Sequence, residues 1–298
     1  MKNKIIIISG ATASGKSDLA LKLADLKDIA IINADSLQIF EGLPILSSQP
    51  SISDHAKVKH SLYSYFKPQE SSSVAAWLKL VRTAVDEVVA MKKHPVIVGG
   101  SGMYISKLVE GISEIPEIDE DIRNGARLLY DEIGHEEFKK KLLDLGEDEI
   151  LDKQRLTRAY EVLEQTGKSI NYWQNLPLRK TFPEAEFLHV NLVPNREQLY
   201  KNCNLRFEKM LKNGALEEVE NLMKQGIPDE KQITKTLGFY EISDFLNERI
   251  DRERMIEIAT QKTRNYAKRQ LTWFRHQLPE KHVFTESVTA LNYLRNGI

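Results

Sequence analysis

The chain has 298 residues, of which 41% are hydrophobic and 29% are charged, and its formal net charge is −1. This composition is ordinary for a soluble globular protein, and the length suits one large α/β domain with a smaller inserted unit. No stretch approaches the roughly 20 apolar residues of a membrane span, and the apolar run at residues 5–8 is too short for a secretion signal. Because Cys203 is the only cysteine, an intrachain disulfide is excluded, which favours a cytoplasmic location.

The first predicted elements form a β–α–β unit. Residues 4–8 (KIIII) predict a buried strand, and a glycine-containing loop leads from it to the helical segment at residues 17–24. A second buried strand is predicted at residues 29–35 (IAIINAD). Residues 74–91 carry an apolar stripe at helical spacing, and residues 96–104 (VIVGGSGMY) begin as a third strand. These elements predict an α/β core in which helices flank a parallel sheet.

The pattern changes after this core, where highly charged segments have helical periodicity and no strand signal. We predict an all-helical inserted domain at residues 116–183, which leaves residues 1–115 and 184–298 for the α/β core. Residues 187–194 (FLHVNLVP) then predict another strand. Helices follow it to Arg275, and the chain closes with a short strand and a last helix.

The loop after the first strand, GATASGKS, matches the phosphate-binding pattern G-x-x-x-x-G-K-[ST]. Glycines let backbone N–H groups face an oxyanion, and the following helix adds the partial positive charge of its N-terminus. The motif predicts a P-loop for a diphosphate or nucleotide, with Mg²⁺ held by Ser17, at Gly10, Ala11, Thr12, Ala13, Ser14, Gly15, Lys16 and Ser17. It does not identify the reaction. The N-K-x-D motif of a GTPase is absent from the sequence, but an ATPase or a kinase stays open.

Asp35 and Ser36 follow the second predicted strand, at the sheet edge where open α/β sheets bind ligands. We therefore expect Asp35 to face the P-loop. From the residues alone, Asp35 could be a Mg²⁺ ligand, a general base near the phosphates, or an aspartate that only caps the next turn.

Six segments in chain order resemble the signatures of tRNA dimethylallyltransferases, the IPP transferase family. They are the P-loop, DSLQIF (35–40), GGSGMY (99–104), QRLTRAYE (154–161), LGFYE (237–241) and TRNYAKRQLTWFR (263–275). The resemblance implies an α/β fold with a P-loop core. It also implies transfer of a dimethylallyl group from dimethylallyl diphosphate to N6 of the adenosine on the 3′ side of the anticodon, which yields N6-isopentenyladenosine and diphosphate.

The resemblance also implies roles for single residues. The P-loop with Lys16 and a Ser17-held Mg²⁺ would stabilise the diphosphate leaving group. Asp35 would be the base on the adenine amine, and Ser101 would hydrogen-bond that amine or the base edge, or would cap a helix, or both. Arg206 would lie near the diphosphate, with an exposed helical arginine as an equal alternative.

A nearly neutral protein needs a local basic surface to bind the tRNA anticodon arm. Residues 249–275 hold eight basic and three acidic side chains, and on one helix Lys262, Tyr266, Arg269 and Trp273 would share a face, although both aromatic residues could instead be core. An extruded adenine would enter between Asp35 and Ser101. The residues expected to touch tRNA are Asp35, Ser36, Leu37, Gln38, Ser101, Arg123, Gln154, Arg155, Leu156, Thr157, Arg158, Lys235, Thr236, Leu237, Gly238, Phe239 and Tyr240, with Arg264, Lys268 and Arg269 from the basic stretch. We expect no membrane partner and a monomer.

The chain departs from the family pattern at residues 45–50, which are ILSSQP where the family has a G-T-A-K-P-like stretch. The lost lysine motivates the hypothesis of altered RNA preference or weak activity. Three other functions stay open from sequence: an isopentenyltransferase for free AMP, a P-loop kinase for a small molecule, and a non-catalytic RNA-binding protein. The basic stretch and the helical insert argue against the AMP enzyme, because a mononucleotide needs neither.

Overall fold

The computed structural model describes residues 4–147, 152–278 and 281–297. The chain forms two compact units, a core unit (Met1–Val109 and Thr181–Ile298) and an insert unit (Glu110–Lys180). The insert unit begins and ends with an antiparallel bridge in which Ile112 and Arg179 exchange backbone hydrogen bonds of 3.0 and 2.9 Å. A single bridge has no periodic sequence signal, so the boundaries differ by a few residues from the expected 116 and 183.

The core unit contains a parallel sheet with the strand order β3-β2-β4-β1-β5-β6 among the described residues. Every isoleucine from Ile5 to Ile8 is fully buried, which requires that both faces of β1 be covered and explains its continuous apolar sequence. The α/β prediction is confirmed, but β3 was missed because a two-residue strand leaves no pattern. The strands are β1 (Lys4–Gly10), β2 (Ile29–Asn33), β3 (His60–Ser61), β4 (His94–Gly99), β5 (Glu186–Leu192) and β6 (His282–Phe284).

Helices cover the sheet and form the insert unit. In the core unit, an apolar cluster joins Leu19 and Leu23 to Ile6, Ile8 and Leu294, so that the first and last helices pack on the same side of the sheet. The helices are α1 (Lys16–Ala24), α2 (Ile52–Lys57), α3 (Val74–Ala90), α4 (Gly102–Glu110), α5 (Glu120–Asp144), α6 (Lys153–Thr166), α7 (Ile170–Gln174), α8 (Arg196–Lys212), α9 (Ala215–Lys224), α10 (Phe239–Leu246), α11 (Arg252–Gln277) and α12 (Ser287–Gly297), with a 3-10 turn at Gln232–Lys235.

Local chemistry explains where the main helices begin and what they bury. Ser73 accepts a hydrogen bond from the Ala76 N–H at the start of α3, and Asp251 accepts one from the Arg254 N–H at the start of α11. The predicted apolar stripe of α3 is buried, and Trp77 within it donates its indole N–H to the Asn33 carbonyl at the end of β2 (2.9 Å). Helix α3 is thereby fixed against the edge of the sheet that leads to Asp35.

Outside the bridge, the regular secondary structure of the insert unit's described residues is helical. Helices α5 and α6 pack around an apolar cluster of Phe138, Leu142, Leu156 and Ala159. Gly134 interrupts α5 with a left-handed φ of 78°, which separates the two helical segments that the sequence had indicated there. Across the described residues of both units, no helix has the length and apolar character needed to span a bilayer.

Candidate active site

The P-loop joins β1 to α1 at the carboxyl edge of the sheet, and two of its glycines are required by geometry. A Cβ atom on Gly10 would lie 2.7 Å from the Leu192 carbonyl oxygen and 2.6 Å from the Ser14 hydroxyl. Gly15 precedes α1 with a φ of 92°, which is the left-handed region that favours glycine. The loop can therefore bring its backbone close to a ligand at the start of α1.

The P-loop contains donors that suit an oxyanion. The Ser14 hydroxyl is buried and has no hydrogen-bond partner among the described residues. In the same loop, the Lys16 ammonium donates to the Ala11 carbonyl at 3.1 Å. An unpaired buried hydroxyl and a cation at a helix N-terminus fit a phosphate or diphosphate group.

Burial lowers the pKa of Lys16 from 10.5 to about 8. The carboxylate of Asp35 raises this pKa in part, and the guanidinium of Arg206 lowers it further. The folded protein therefore holds a cation that is partly desolvated and not fully compensated. An anionic ligand would restore the missing countercharge.

Arg206 reaches the P-loop from α8. Its Nη1 donates to the Thr12 hydroxyl at 2.7 Å, and its Nη2 donates to the Ser47 carbonyl at 3.4 Å. Burial lowers the pKa of Arg206, and the charge of Asp35 opposes that shift. The alternative of a solvated helical arginine does not describe this position, because the guanidinium is held against the loop.

Asp35 and Ser101 follow the neighbouring strands β2 and β4. Hydrogen bonds connect the loops that carry these two residues. Asp35 Oδ1 accepts hydrogen bonds from the backbone N–H groups of Leu37 (3.0 Å) and Gln38 (3.4 Å). Ser101 Oγ accepts from the Ser36 N–H at 2.9 Å and donates to Ser36 Oγ at 3.2 Å. The Ser101 carbonyl, in turn, accepts from the N–H groups of Tyr104 and Ile105 in the first turn of α4. Ser101 therefore contributes to the start of α4 while its side chain is at the Asp35 loop.

The charge of Asp35 also reaches three tyrosine hydroxyls. Burial and then the Asp35 carboxylate raise the pKa of Tyr63 and Tyr266, and the same two effects raise the pKa of Tyr104, although a hydrogen bond from Ser72 opposes the shift there. All three hydroxyls stay protonated at neutral pH. The charge of Asp35 thus affects both the cations of the P-loop region and these three tyrosine hydroxyls.

A cavity of about 460 Å³ opens beside the P-loop, within the range of small-molecule sites. Lys16, Ser17 and Arg206 contribute polar groups to its lining, and Leu21 and Tyr63 contribute apolar ones. The cavity therefore suits a ligand with an anionic end and an apolar end.

The divergent segment at residues 45–50 is also held at this cavity. The Ile45 and Leu46 N–H groups donate to the carboxylate of Glu218 at 2.7 and 2.9 Å. Gln38 Nε2 donates to the carbonyls of Ser47 (2.9 Å) and Ser48 (2.8 Å). Two side chains thus fix a segment that contains neither the glycine nor the lysine expected in the family, and Gln38 uses its amide nitrogen for this contact.

Several residues expected to touch tRNA are buried instead. Thr236, Gly238 and Phe239 lie in the interior of the core unit, and Leu156 and Thr157 lie in the interior of the insert unit. These residues cannot contact tRNA in this fold. Each predicted segment is amphipathic, so only one of its faces is exposed, and the prediction covered both faces. Exposed or partly exposed positions among the expected set are Asp35, Ser36, Leu37, Gln38, Ser101, Arg123, Gln154, Arg155, Arg158, Lys235, Leu237, Tyr240, Arg264, Lys268 and Arg269.

Helix α11 is a single helix, which is the condition under which Lys262, Tyr266, Arg269 and Trp273 would share a face. Lys262 and Arg269 are exposed on it, whereas Tyr266 and Trp273 are half-buried. Lys262 pairs with the buried carboxylate of Glu241, and the Trp273 ring packs so closely on Gly102 that a Cβ atom there would lie 2.1 Å from it. Both aromatic residues are therefore only partly exposed, and Trp273 has a packing role.

Sequence reasoning missed Gln270, the buried glutamine of α11. The Thr12 N–H donates to its Oε1 at 2.7 Å, and its Nε2 donates to the Gly100 carbonyl at 2.8 Å. The available signal was a polar residue at a buried helical position, four residues after Tyr266 and three before Trp273. Its partners are distant in the sequence, so the signal did not identify them.

Comparisons with known proteins agree with this arrangement. A model of the IPP transferase family matches residues 38–277. The tRNA dimethylallyltransferase of Ehrlichia chaffeensis is 40% identical over 302 residues, covering 99% of this chain and 98% of the relative.

Two solved structures are similar in fold. The full-length tRNA isopentenylpyrophosphate transferase from Bacillus halodurans is 26% identical with a TM-score of 0.70, covering 99% of this chain and 95% of that one. A eukaryotic dimethylallyltransferase acting on tRNA has a TM-score of 0.74 at 23% identity, covering 91% of this chain and 70% of that one, and this likeness concerns the fold alone. The family model and the relatives of nearly full length establish that this chain belongs to the IPP transferase family.

Proposed function

We propose that this chain transfers a dimethylallyl group from dimethylallyl diphosphate to N6 of the adenosine adjacent, on the 3′ side, to the anticodon of tRNA. The observation that carries the proposal is that cationic groups suited to a diphosphate and a carboxylate suited to act as a base lie at one edge of the sheet. The P-loop with Lys16 and Arg206 suits a diphosphate, and the carboxylate of Asp35 lies within electrostatic reach of both cations. The names of the similar proteins support the same activity.

On the donor side, the bond between the allylic carbon and the diphosphate oxygen breaks, and negative charge develops on the leaving group. Lys16, the Ser14 hydroxyl and the P-loop amides would stabilise that charge. Arg206, held at Thr12, would add a second cation. The apolar lining of the cavity, which includes Leu21 and Tyr63, would receive the hydrocarbon end.

On the acceptor side, the adenine N6 is a poor nucleophile because its lone pair is delocalised into the ring. Asp35 would accept the N6 proton while the new N–C bond forms, and its contribution depends on placement more than on basicity. The N–H groups of Leu37 and Gln38 fix the carboxylate for this task. Ser101, tied to Ser36, would bind the amine or the edge of an extruded adenine.

Mg²⁺ is part of the proposal as a cofactor. Ser17 lies in the first turn of α1 and lines the cavity, so its hydroxyl would hold the ion. A hydroxyl that lines the proposed diphosphate cavity fits the preference of Mg²⁺ for a few protein oxygens together with phosphate oxygens and water. When bound, Mg²⁺ would neutralise charge on the diphosphate.

For the partner, we propose that the anticodon arm of tRNA contacts the exposed cations named above. They lie on both units, for example Lys268 and Arg269 on α11 and Arg155 on α6. A tRNA substrate also fits the cytoplasmic location expected from sequence, and the monomer stays a prediction.

The test incubates the protein with labelled dimethylallyl diphosphate, Mg²⁺ and either unmodified tRNA or AMP. We expect label on tRNA and none on AMP. Label on AMP alone would favour the mononucleotide enzyme, whereas consumption of ATP with no prenyl transfer would favour a kinase, and either result would overturn the proposal.

The base is tested with Asp35→Asn, which keeps the shape and the acceptor oxygen but removes the charge. We expect single-turnover transfer to fall at least about 100-fold, with the tRNA dissociation constant changed less than about threefold. The matched control is Asp28→Asn, because Asp28 is an exposed carboxylate outside the site. Equal transfer by Asp35→Asn and the unaltered protein would exclude Asp35 as the base.

A further inference from the structure

Gln270 connects the two loops that carry the proposed chemistry. Its side-chain amide lies between the P-loop and the turn that follows β4, and it uses its oxygen on one and its nitrogen on the other. We propose that Gln270 is a positioning residue that sets the separation and orientation of the diphosphate-binding loop and the acceptor-binding turn. This inference rests on the proposed function, because it assigns the leaving group to one loop and the acceptor to the other.

The contacts of Gln270 are specific to an amide. The Thr12 N–H donates to Oε1 at 2.7 Å, and Nε2 donates to the Gly100 carbonyl at 2.8 Å. The side chain is 7% exposed, so water cannot easily replace either bond. A donor and an acceptor on one rigid planar group hold both loops at once, which no carboxylate or alkyl group of that size can do.

Each partner of Gln270 is adjacent to a proposed site residue. The Thr12 hydroxyl binds Arg206, and Gly100 precedes Ser101 in the chain. A Cβ atom on Gly100 would lie 2.6 Å from Gln270 Nε2, 3.3 Å from the Gly10 carbonyl oxygen and 3.6 Å from the Lys16 ammonium. The turn and the P-loop therefore approach so closely that a small change in one displaces the other.

Helix α11 supports the turn at a second point. One turn after Gln270, the ring of Trp273 packs on Gly102. The same helix carries Lys268 and Arg269, which are exposed and proposed to meet tRNA. Gln270 thus connects a helix of the proposed tRNA surface to both reacting loops, and no contact with either substrate is assigned to it.

The consequence is a defect in the transfer step when the amide is lost. The donor and the tRNA can each bind to their own groups, but their reacting atoms are no longer aligned, and small misplacements reduce rates strongly. Loss of Gln270 should therefore lower kcat more than it raises either KM.

The experiment compares Gln270→Met, which keeps the volume and removes both hydrogen bonds, with Gln270→Glu, which is isosteric and keeps an acceptor for Thr12. The matched control is Gln225→Glu at the exposed end of α9. Measured quantities are kcat and KM for labelled dimethylallyl diphosphate and for unmodified tRNA, equilibrium dissociation constants for both, and the melting temperature of the full chain.

For both Gln270 variants we expect kcat to fall by about 10- to 100-fold, while both dissociation constants change less than about threefold at a temperature where the variants are folded. A variant that still binds both substrates is folded, so its kcat can be interpreted even if Gln270→Met is less stable. Gln270→Glu tests the same inference with a second side chain.

An unchanged kcat in folded variants that melt earlier would overturn the inference, since it would mean that Gln270 is only structural. So would a defect confined to KM. In both cases transfer by the unaltered chain would still support the proposed function, and absence of that transfer would reject the function itself.

Discussion

Three charged side chains determine the electrostatics of the proposed site. Lys16 and Arg206 are cations that burial destabilises, and Asp35 is the anion that partly compensates both. The cations lie next to the P-loop, and the anion follows the neighbouring strand. A diphosphate therefore meets the two cations, and the acceptor amine meets the carboxylate of Asp35.

The pKa of Lys16 makes a prediction for donor binding. Below a pH of about 8 the ammonium is present before the ligand arrives. A bound diphosphate raises this pKa, so that above pH 8 the ligand must also recruit a proton, and the dissociation constant rises toward about tenfold per pH unit. The measurement is equilibrium binding of inorganic diphosphate from pH 6.5 to 9.5.

The control for this prediction is Lys16→Met, in which only the ligand titrates. We expect weaker binding at pH 7 and a flatter curve above pH 8 than in the unaltered protein. Parallel pH curves for the two proteins would show that Lys16 does not change protonation when the diphosphate binds.

At the scale of elements, the approach of the turn after β4 to the turn after β2 depends on Gly99, the last residue of β4. A Cβ atom on Gly99 would lie 2.0 Å from the Ala34 carbonyl oxygen and 2.2 Å from its carbon, both of them backbone atoms that cannot rotate away. Ala34 precedes Asp35, and the Ser101 N–H donates to the same carbonyl at 3.2 Å. The close approach of the two turns therefore places Asp35 beside Ser101.

We expect Gly99→Ala to lower the free energy of unfolding by about 1–3 kcal/mol and to reduce transfer, because the clash must move the backbone at Asp35. The control is Gly125→Ala in α5, where an added Cβ meets no atom within 4 Å and alanine favours the helix. Urea denaturation and the transfer assay measure both effects. Equal stability of the two variants would contradict the predicted clash.

At the scale of the whole molecule, proposed tRNA contacts lie on both units. In the insert unit, Arg155 is 82% exposed and pairs only with the neighbouring helix-capping residue Asp152, at 3.3 Å, among the contacts described. Such an arginine can exchange its partner for a phosphate. The core unit contains the complete set of residues proposed for the donor.

This division predicts that changes in the insert unit affect tRNA and not the donor. In Arg155→Gln we expect tRNA binding to weaken, and the slope of log affinity against log salt to decrease by about one unit, because one phosphate contact is lost. Binding of dimethylallyl diphosphate should not change. The control is Arg295→Gln at an exposed position of α12. An unchanged salt slope for Arg155→Gln would remove Arg155 from the proposed surface.

The sequence by itself determined the P-loop, the main strands and the long helix α3. Each of these is encoded in adjacent residues, as a contiguous motif or as a regular spacing of apolar side chains, so that no knowledge of the fold is needed. The order of six motifs also sufficed to indicate the family.

Tertiary structure alone decided which distant side chains complete the site. Arg206 meets Thr12 across 194 positions, Gln270 meets Thr12 across 258, and Glu218 meets Ile45 across 173. It also decided which members of a motif are buried, as at Thr236 and Phe239. Hydrogen bonds over such separations depend on how the sheet and helices pack. The residues that packing brings together have no regular spacing in the sequence, so no pattern predicts them.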